Sequence, residues 1–515
     1  MPTVIDEIRR NANQFASNPA IIEGERVWTH AKLWDRVDRL SQNFLFRLFR
    51  GDVVLAWLSN VHEAIEAELA CLQSWCVWVS ANSRFTAQEF IGIYDDCFKR
   101  GLLIIDAEHL SRLWNLILPS ELGERTLLTG SDVELAGFGS YEAVIRANES
   151  IRPPGERGHA REYARLRYTS GTTGKPKAAI LPHRVYLASL HNLQHELHPL
   201  GPDDRVLHAA PLTHASGALV FPILAAGGAN VILPHFDVEK VLETIETQRI
   251  TTMFIVPTIL HWLASSPSFQ TRDLSSLKTI FYGGAPTSIE QLNPIIERLG
   301  TKLVHIYGMT EAPYPITTLK REEHWVGNPK LGSIGKPTTI CRLKITDETG
   351  NELGEDEVGE IWVRGANVMS GYWHDDEETK KVLKGKWLAT GDLGKRDTDG
   401  YYWIVDRKKD VIISGGFNVY AKEVESVLCA HSEIAEAAVV GIPHSDWGEM
   451  VAAFVVLKPG STLDSETIAQ WCHQRLSGYK CPKRVEIIGE LPKNSSGKIL
   501  KKALTDAGQA PTDRS

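Results

Sequence analysis

Residues 168–177, Tyr168-Thr169-Ser170-Gly171-Thr172-Thr173-Gly174-Lys175-Pro176-Lys177, set four Ser/Thr hydroxyls, two glycines and two lysines side by side. Hydroxyls donate hydrogen bonds, glycines allow positive φ and close backbone approach, and lysines supply point charge. The segment therefore suits a polyphosphate better than a neutral ligand. A solvated turn can have the same composition. It is not a P-loop, because Thr169 stands where the first glycine of Gly-x-x-x-x-Gly-Lys-Ser/Thr would be and Pro176 follows Lys175. Nucleotide handling has to be argued from the company the loop keeps.

That company is Tyr307-Gly308-Met309-Thr310-Glu311, Thr390-Gly391-Asp392, Asp406-Arg407-Lys408-Lys409-Asp410 with Gly415-Gly416 after it, and Pro492-Lys493-Asn494-Ser495-Ser496-Gly497-Lys498. In order and spacing these segments, with the loop, resemble the motifs of the adenylate-forming superfamily of acyl- and aryl-CoA synthetases, stand-alone adenylation enzymes and luciferases. The resemblance covers nearly the whole chain. It implies two half-reactions: a carboxylate attacks the α-phosphorus of ATP to give an acyl-adenylate and pyrophosphate, then a thiol attacks the adenylate carbonyl.

The roles it implies follow residue by residue. Thr169, Ser170, Gly171, Thr172, Thr173, Gly174 and Lys177 match the loop that holds the β- and γ-phosphates. Thr310 would donate to the α-phosphate, and Glu311 would hold Mg²⁺, a hard cation that takes oxygen ligands. Tyr307 and Gly308, with Gly284-Ala285-Pro286 on the other side, would enclose the adenine, and Asp392 and Arg407 would hold the ribose. Lys498 would bridge carboxylate and α-phosphate at the transition state. Lys409 matches the hinge of a rotating C-terminal domain, and Gly415 and Gly416 match glycines over which the pantetheine arm of coenzyme A slides. Trp447, Tyr479 and Lys483 sit where some relatives contact the nucleotide end of coenzyme A, although nearby Cys481 stands at a position that is basic in some of them. A turn requirement would explain the glycine pair equally well.

Pro211-Leu212-Thr213-His214-Ala215-Ser216-Gly217 resembles the segment that sets an aromatic or histidine beside the substrate carboxylate, which makes His214 a catalytic and pocket candidate. Amino-acid-activating relatives carry a Phe-Asp pair there, and this chain has no Asp between Pro211 and Val220. The other pocket positions, Gly283, Gly308, Met309, Pro313 and Tyr314, are neutral and mostly small or apolar, so a hydrophobic acid is expected, aryl or medium-chain acyl. Coenzyme A is the expected acceptor, a carrier protein supplied in trans the alternative, and a homodimer is what the family suggests. Ala178, where Gly often follows Pro-Lys, and Asp406, where Gly is frequent, are the departures from the pattern.

The elements that must position these groups alternate helix-like and β-rich runs. Helices are expected over Asp6–Phe15, Trp28–Phe46, His62–Trp75, Arg184–Glu196, Glu239–Gln248 and Ile289–Arg298. Strands are expected at Val53–Leu58, Leu102–Ile105, Arg205–Ala209, Thr252–Val256, Lys278–Tyr282 and Leu303–Ile306. Short strands between helices predict mostly parallel, doubly covered sheets in two copies, and the turn-rich stretch 332–404 a small β-barrel-like subdomain. A mobile α+β domain would close the chain. We expect a large N-terminal domain over 1–408 and a lid domain over 409–515.

Composition narrows the class. The 515 residues are 43% hydrophobic and 23% charged, with a formal net charge of −8, which is globular and argues against an extended nucleic-acid surface. Seven scattered cysteines with no Cys-x-x-Cys pair fit a reducing compartment. With no secretory signal, membrane span or C-terminal address evident, a cytoplasmic setting is expected. Neither the Asp-Phe-Gly and His-Arg-Asp of a kinase nor the Gly-x-Ser-x-Gly of a hydrolase occurs.

Overall fold

The structure, a computed structural model, describes residues 3–10, 12–98, 100–114, 116, 122–130, 137–151, 158–169, 177–285, 289–493 and 499–508. It divides into two compact units. The first comprises most of residues 1–342 together with Arg364–Leu383, and the second comprises Leu343–Val363 and the chain from Lys384 onward.

Two large sheets build the first unit. In one, Val53–Trp57, Val77–Ala81, Gly101–Asp106, Thr126–Thr129 and Tyr163–Thr169 are parallel neighbours, and Lys177–Pro182 closes one edge antiparallel to Tyr163–Thr169. In the other, the parallel strands Arg205–His208, Ala229–Ile232, Thr252–Ile255, Thr279–Gly283 and Leu303–Tyr307 form the centre. Val53–Trp57 and Thr279–Gly283 are buried along their whole length, as strands covered on both faces must be. The connecting helices supply that cover. His183–Glu196 and Val238–Thr247 bury one stripe each, the latter through Val241, Leu242, Thr244 and Ile245. The expected α/β architecture is therefore present.

Local chemistry sets the boundaries. A helix was expected from Trp28, but Arg26–Thr29 is a strand paired antiparallel with Pro19–Glu23, and the helix begins at His30. Thr29 is its N-cap, accepting the Lys32 N–H on its side-chain oxygen at 3.2 Å. The first helix is shorter than its pattern, Val4–Arg9, and starts in a capping box between Thr3 and Asp6.

In the second unit Gly359–Gly365, Trp387–Arg396 and Tyr402–Arg407 run antiparallel. A further sheet pairs the long hairpin Ile434–His444 and Gly448–Leu457 with Val411–Ser414 and Arg484–Ile487. Helices Ala421–Cys429 and Ser465–His473 pack against it through Val424, Leu428, Ile468 and Cys472. This is the α+β tail anticipated from the sequence.

Candidate functional site

The strands on either side of the Ser/Thr/Gly loop hold its ends, with Thr169 opposite Lys177 in register. Residues 170–176 lie outside the described residues, so Ser170, Gly171, Thr172, Thr173 and Gly174 are not placed. Lys177 Nζ donates to Glu378 Oε2 at 2.5 Å and lies 5.8 Å from the centre of the Tyr372 ring. Hydrogen bonds from Lys177 and Lys381 hold the half-buried Glu378 carboxyl at about 2. The Tyr372 hydroxyl donates to Glu311 Oε1 at 2.7 Å. Burial, then the Glu311 charge, push that phenol far up, so it stays a donor.

Tyr372 is where it is because the segment around it runs against Lys177–Pro182. Ser370 N donates to Ile180 O, Ile180 N to Gly371 O and Trp373 N to Ala178 O, each at 2.8–2.9 Å. Met369 N donates to Glu311 O at 2.8 Å. One short stretch thus ties the loop's outgoing strand to the Tyr-Gly-Met-Thr-Glu segment. Nothing in the sequence motifs pointed to Tyr372 or Glu378; a tyrosine in Ser-Gly-Tyr-Trp carries no spacing signal of its own.

Tyr307 ends the strand Leu303–Tyr307, and residues 308–316 form a loop fixed from below. Asn192 Nδ2 donates to Pro315 O at 2.6 Å and Asn367 Nδ2 to Pro313 O at 2.8 Å, both amides fully buried. The peptide bond between Tyr314 and Pro315 is cis. Gly283, Gly284, Gly308 and Tyr314 come together here. A Cβ on Gly283 would sit 2.0 Å from Ile306 O, and one on Gly308 would sit 2.8 Å from the Tyr314 ring. Only glycine lets those two parallel strands and that ring approach so closely. Ala285 follows Gly284 on the surface, while Pro286 lies outside the described residues. Met309 N is bonded to Ala312 O at 3.1 Å, which turns the chain at Thr310.

His214 stands at the N-terminal end of the helical turn Ala215–Leu219 without a side-chain cap bond, its Nδ1 3.0 Å from Thr213 Oγ1 and its Nε2 3.5 Å from Asn82 Nδ2. Burial first, then Arg167, Arg165 and Arg84, bring its imidazole down to about 4. At neutral pH it is an uncharged ring beside three cations.

The second unit pairs Asp392 with Arg407. They are opposite each other on Trp387–Arg396 and Tyr402–Arg407, with Nε 3.3 Å from Oδ1; the carboxylate is buried and the guanidinium half-exposed. Thr390 Oγ1 takes the Asp392 N–H at 3.1 Å and donates to Ile361 O at 2.7 Å, fixing the bend at Gly391. Lys409 lies in the short helical turn Lys408–Asp410. Gly415 and Gly416, at φ +58° and +81°, form the hairpin turn between Val411–Ser414 and Phe417–Tyr420. Positive φ at both turn positions is what such a hairpin demands. Gly415 N donates to Trp447 O at 2.8 Å, and a Cβ there would lie 3.0 Å from the Trp447 ring. Lys483 Nζ is 5.9 Å from the centre of that ring, and Tyr479 packs on the exposed Phe417 at 4.9 Å. Gly415, Gly416, Trp447, Tyr479 and Lys483 thus share one exposed aromatic and basic corner. Cys481 is buried, its thiol near Leu476 O and Ser477 O, and takes no part in it. Lys498 lies outside the described residues, but the flanks of its segment, Lys493 and Ile499, form an antiparallel bridge.

Comparison with known proteins gives the family. Residues 8–373 match the model of the AMP-binding enzymes, and 423–498 that of the AMP-binding enzyme C-terminal domain. The chain is 36% identical over 495 residues to a feruloyl-CoA synthase of an Amycolatopsis species, covering 96% of both chains. It is 35% identical to an indoleacetate–CoA ligase of Aromatoleum aromaticum, again over 96% of each. Among solved structures, the amide bond synthetase McbA from Marinactinospora thermotolerans aligns with a TM-score of 0.87 at 30% identity, over 98% of this chain and 100% of that one.

Proposed function

Because the chain belongs to the AMP-binding enzyme family of adenylate-forming acyl- and aryl-CoA ligases, we propose that it activates a hydrophobic aryl or medium-chain carboxylic acid with ATP and passes the acyl group to coenzyme A. The observation that carries the reading is the line from Lys177 through Tyr372 to Glu311, which joins the polyphosphate loop to the Tyr-Gly-Met-Thr-Glu motif.

In the first half-reaction a carboxylate oxygen bonds to the α-phosphorus and the bond to pyrophosphate breaks. Negative charge gathers on phosphate oxygens, so positioned cations and donors do most of the work. The loop 169–174 and Lys177 hold the β- and γ-phosphates, Thr310 donates to the α-phosphate, and Lys498 bridges it to the entering carboxylate. Tyr307 with Gly284-Ala285-Pro286 takes the adenine, and Asp392 with Arg407 the ribose. Magnesium suits Glu311, a buried carboxylate with one oxygen held by Tyr372, because that ion takes one or two protein carboxylates and completes its shell with phosphates and water. When bound it neutralises charge on the phosphates. His214, uncharged, orients the acid without drawing its negative charge away.

In the second half-reaction the thiol sulfur bonds to the acyl carbon, the bond to AMP breaks and the thiol proton leaves to solvent. Gly415 and Gly416 line the path of the pantetheine arm, Trp447, Tyr479 and Lys483 meet the nucleotide end, and Lys409 is the hinge between a domain over 1–408 and a lid over 409–515. Seven free thiols fit a cytoplasmic setting, and among the described residues no helix is long and apolar enough to cross a membrane. We place the enzyme in the cytoplasm, as a homodimer.

Pyrophosphate release with ATP and Mg²⁺ across benzoates, cinnamates and C4–C12 fatty acids, with and without coenzyme A and beside Lys498→Ala, tests the reading. Acid-dependent release, a thioester only with coenzyme A and a loss of roughly 10²–10³ in the variant are expected. Pyrophosphate without thioester would move the acceptor to a carrier protein, and no release with any acid would reject the ligase.

A further inference from the structure

The parallel sheet that leads into the nucleotide loop has a second, unused end. Val53–Trp57, Val77–Ala81, Gly101–Asp106, Thr126–Thr129 and Tyr163–Thr169 all run the same way, so the chain leaves Thr169 at their C-terminal edge. At the N-terminal edge a cavity of about 220 Å³ opens between Arg47, Leu48, Arg100, Gly101, Leu102 and Arg125. Each arginine stands where the chain is about to enter the sheet. Arg47 ends the helix His30–Arg47, Arg100 precedes the strand Gly101–Asp106, and Arg125 closes the turn Gly123–Arg125 before Thr126–Thr129.

Among the described residues no carboxylate lines that cavity. Arg47 donates to a backbone carbonyl, Glu124 O, and Arg125 has no hydrogen bond or ion pair among the described residues. The acids nearby are few. Glu124 lends its charge to Arg47, and Asp52 Oδ2, turned inward on the Phe49 N–H at 2.8 Å, lies 3.5 Å from Nε of the exposed Arg100. Arg50 is committed elsewhere, to both oxygens of Glu162 at 2.5 and 2.6 Å. Three guanidiniums thus share one cavity in a chain whose formal net charge is −8. They suit a phosphate group, because the guanidinium fork matches phosphate oxygens in pairs.

The rim of this cavity is apolar. Phe46 is 91% and Phe49 65% exposed, with the exposed Leu45 beside them in sequence. The Arg100 guanidinium carbon lies 4.1 Å from the centre of the Phe49 ring, which sets ring and cation together. Neighbouring exposed apolar side chains mark a surface that takes a partner, and aromatic rings among arginines suit the boundary between lipid headgroups and acyl chains. A second copy of this chain is the poorer occupant, since a two-fold contact centred here would set the arginines against their own copies.

We propose that this edge of the sheet docks on an anionic phospholipid bilayer, with a headgroup phosphate in the cavity among Arg47, Arg100 and Arg125, and with Phe46 and Phe49 inserted toward the acyl chains. The C-terminal edge, from which the nucleotide loop departs, stays clear of the bilayer. Such docking is independent of which acid is activated.

Co-sedimentation of the full chain with vesicles tests this, with phosphatidylcholine alone against phosphatidylcholine and phosphatidylglycerol in equal parts. Binding to the anionic vesicles, weakened by added salt, is expected. Phe46→Ser with Phe49→Ser should lower the partition coefficient by roughly tenfold or more, since two exposed rings no longer leave water. Arg100→Gln with Arg125→Gln should lower it by roughly 25-fold, about fivefold for each charge, and flatten the salt dependence. All four side chains are exposed, so both variants should keep the natural Tm. Absence of binding, equal binding to the two vesicle types, or anionic binding that survives both variants overturns the proposal. Glycerol 3-phosphate that displaces the protein from vesicles, with the phenylalanine variant bound as well as the natural protein, would make this a soluble-anion site and overturn the membrane reading. A smaller species on sedimentation of the phenylalanine variant, with vesicle binding unchanged, would assign the rings to a contact between copies and overturn it likewise.

Discussion

Tyr372 and Glu311 are 61 residues apart in sequence, and the Tyr372 hydroxyl rests on Glu311 Oε1 at 2.7 Å. The tyrosine orients a buried carboxylate through one of its oxygens. Tyr372→Phe keeps the ring beside Lys177 and removes only that donor. A hydrogen bond to a charged acceptor contributes about 1.5–3 kcal/mol, so pyrophosphate exchange should slow by roughly 10–100-fold, and the Mg²⁺ concentration for half-maximal rate should rise. An unchanged Mg²⁺ dependence would mean that Glu311 is oriented by something else.

Asn367 and Asn192 hold the 308–316 loop by backbone carbonyls that have left regular structure. Asn367→Ala strands the Pro313 carbonyl and opens space in a fully buried site. The loss should be about 1–3 kcal/mol of stability, seen as a lower Tm. If the loop also positions the acid, KM for the acid should rise while KM for ATP moves less. Asn192→Ala should lower Tm similarly through Pro315.

Motif spacing made the Ser/Thr/Gly loop, the Tyr-Gly-Met-Thr-Glu segment and the Asp392 and Arg407 positions legible, because each is a run of unusual residue types bounded by strands. Hydrophobic period made most of the helices and parallel strands legible for the same reason. The groups that brace the site were not. Tyr372, Asn192 and Asn367 act through contacts between segments far apart in the chain, and a single Tyr or Asn carries no periodic signal. The helix expected from Trp28 failed because Thr29 caps it from a strand, a competition between local propensity and hairpin pairing that only the fold decides.

Asp406, a departure from the family pattern, has a structural role. Its buried carboxylate accepts the Arg407 N–H at 2.7 Å and the Lys422 N–H at 3.2 Å. Lys422 is in the first turn of Ala421–Cys429, whose N-cap residue, Tyr420, makes no side-chain cap bond. Asp406 caps that helix from a distant strand. Asp406→Gly should therefore lower stability by about 0.5–2 kcal/mol. Pyrophosphate exchange should change little, and stability measured by urea titration against Asp406→Asn should show half the effect or less, since the amide oxygen can still accept one bond.

Acidification should weaken the fold well before its carboxylates titrate. Burial holds His183, His208, His214 and His324 near about 4, below the ordinary histidine value of 6.5. In that interval the unfolded chain binds protons that the native chain does not, so the stability these groups contribute is present above about 6.5 and is lost as pH falls toward 4. His62 runs the other way. Glu23 and Glu63 accept from its Nδ1 at 2.9 and 3.0 Å and outweigh burial, raising it to about 9. Its contribution is complete below 6.5 and is lost as pH rises through 9. Burial also lowers His30, so five depressed histidines against one raised predict that Tm falls steadily from pH 6.5 to 4.5 and more gently from 7 to 9. His208, fully buried between Ser216 Oγ at 2.9 Å and Asn230 Oδ1 at 2.8 Å, is the site to change. His208→Gln should lower Tm at pH 7 yet flatten the acid limb, and an acid limb of unchanged slope would assign the loss to other groups.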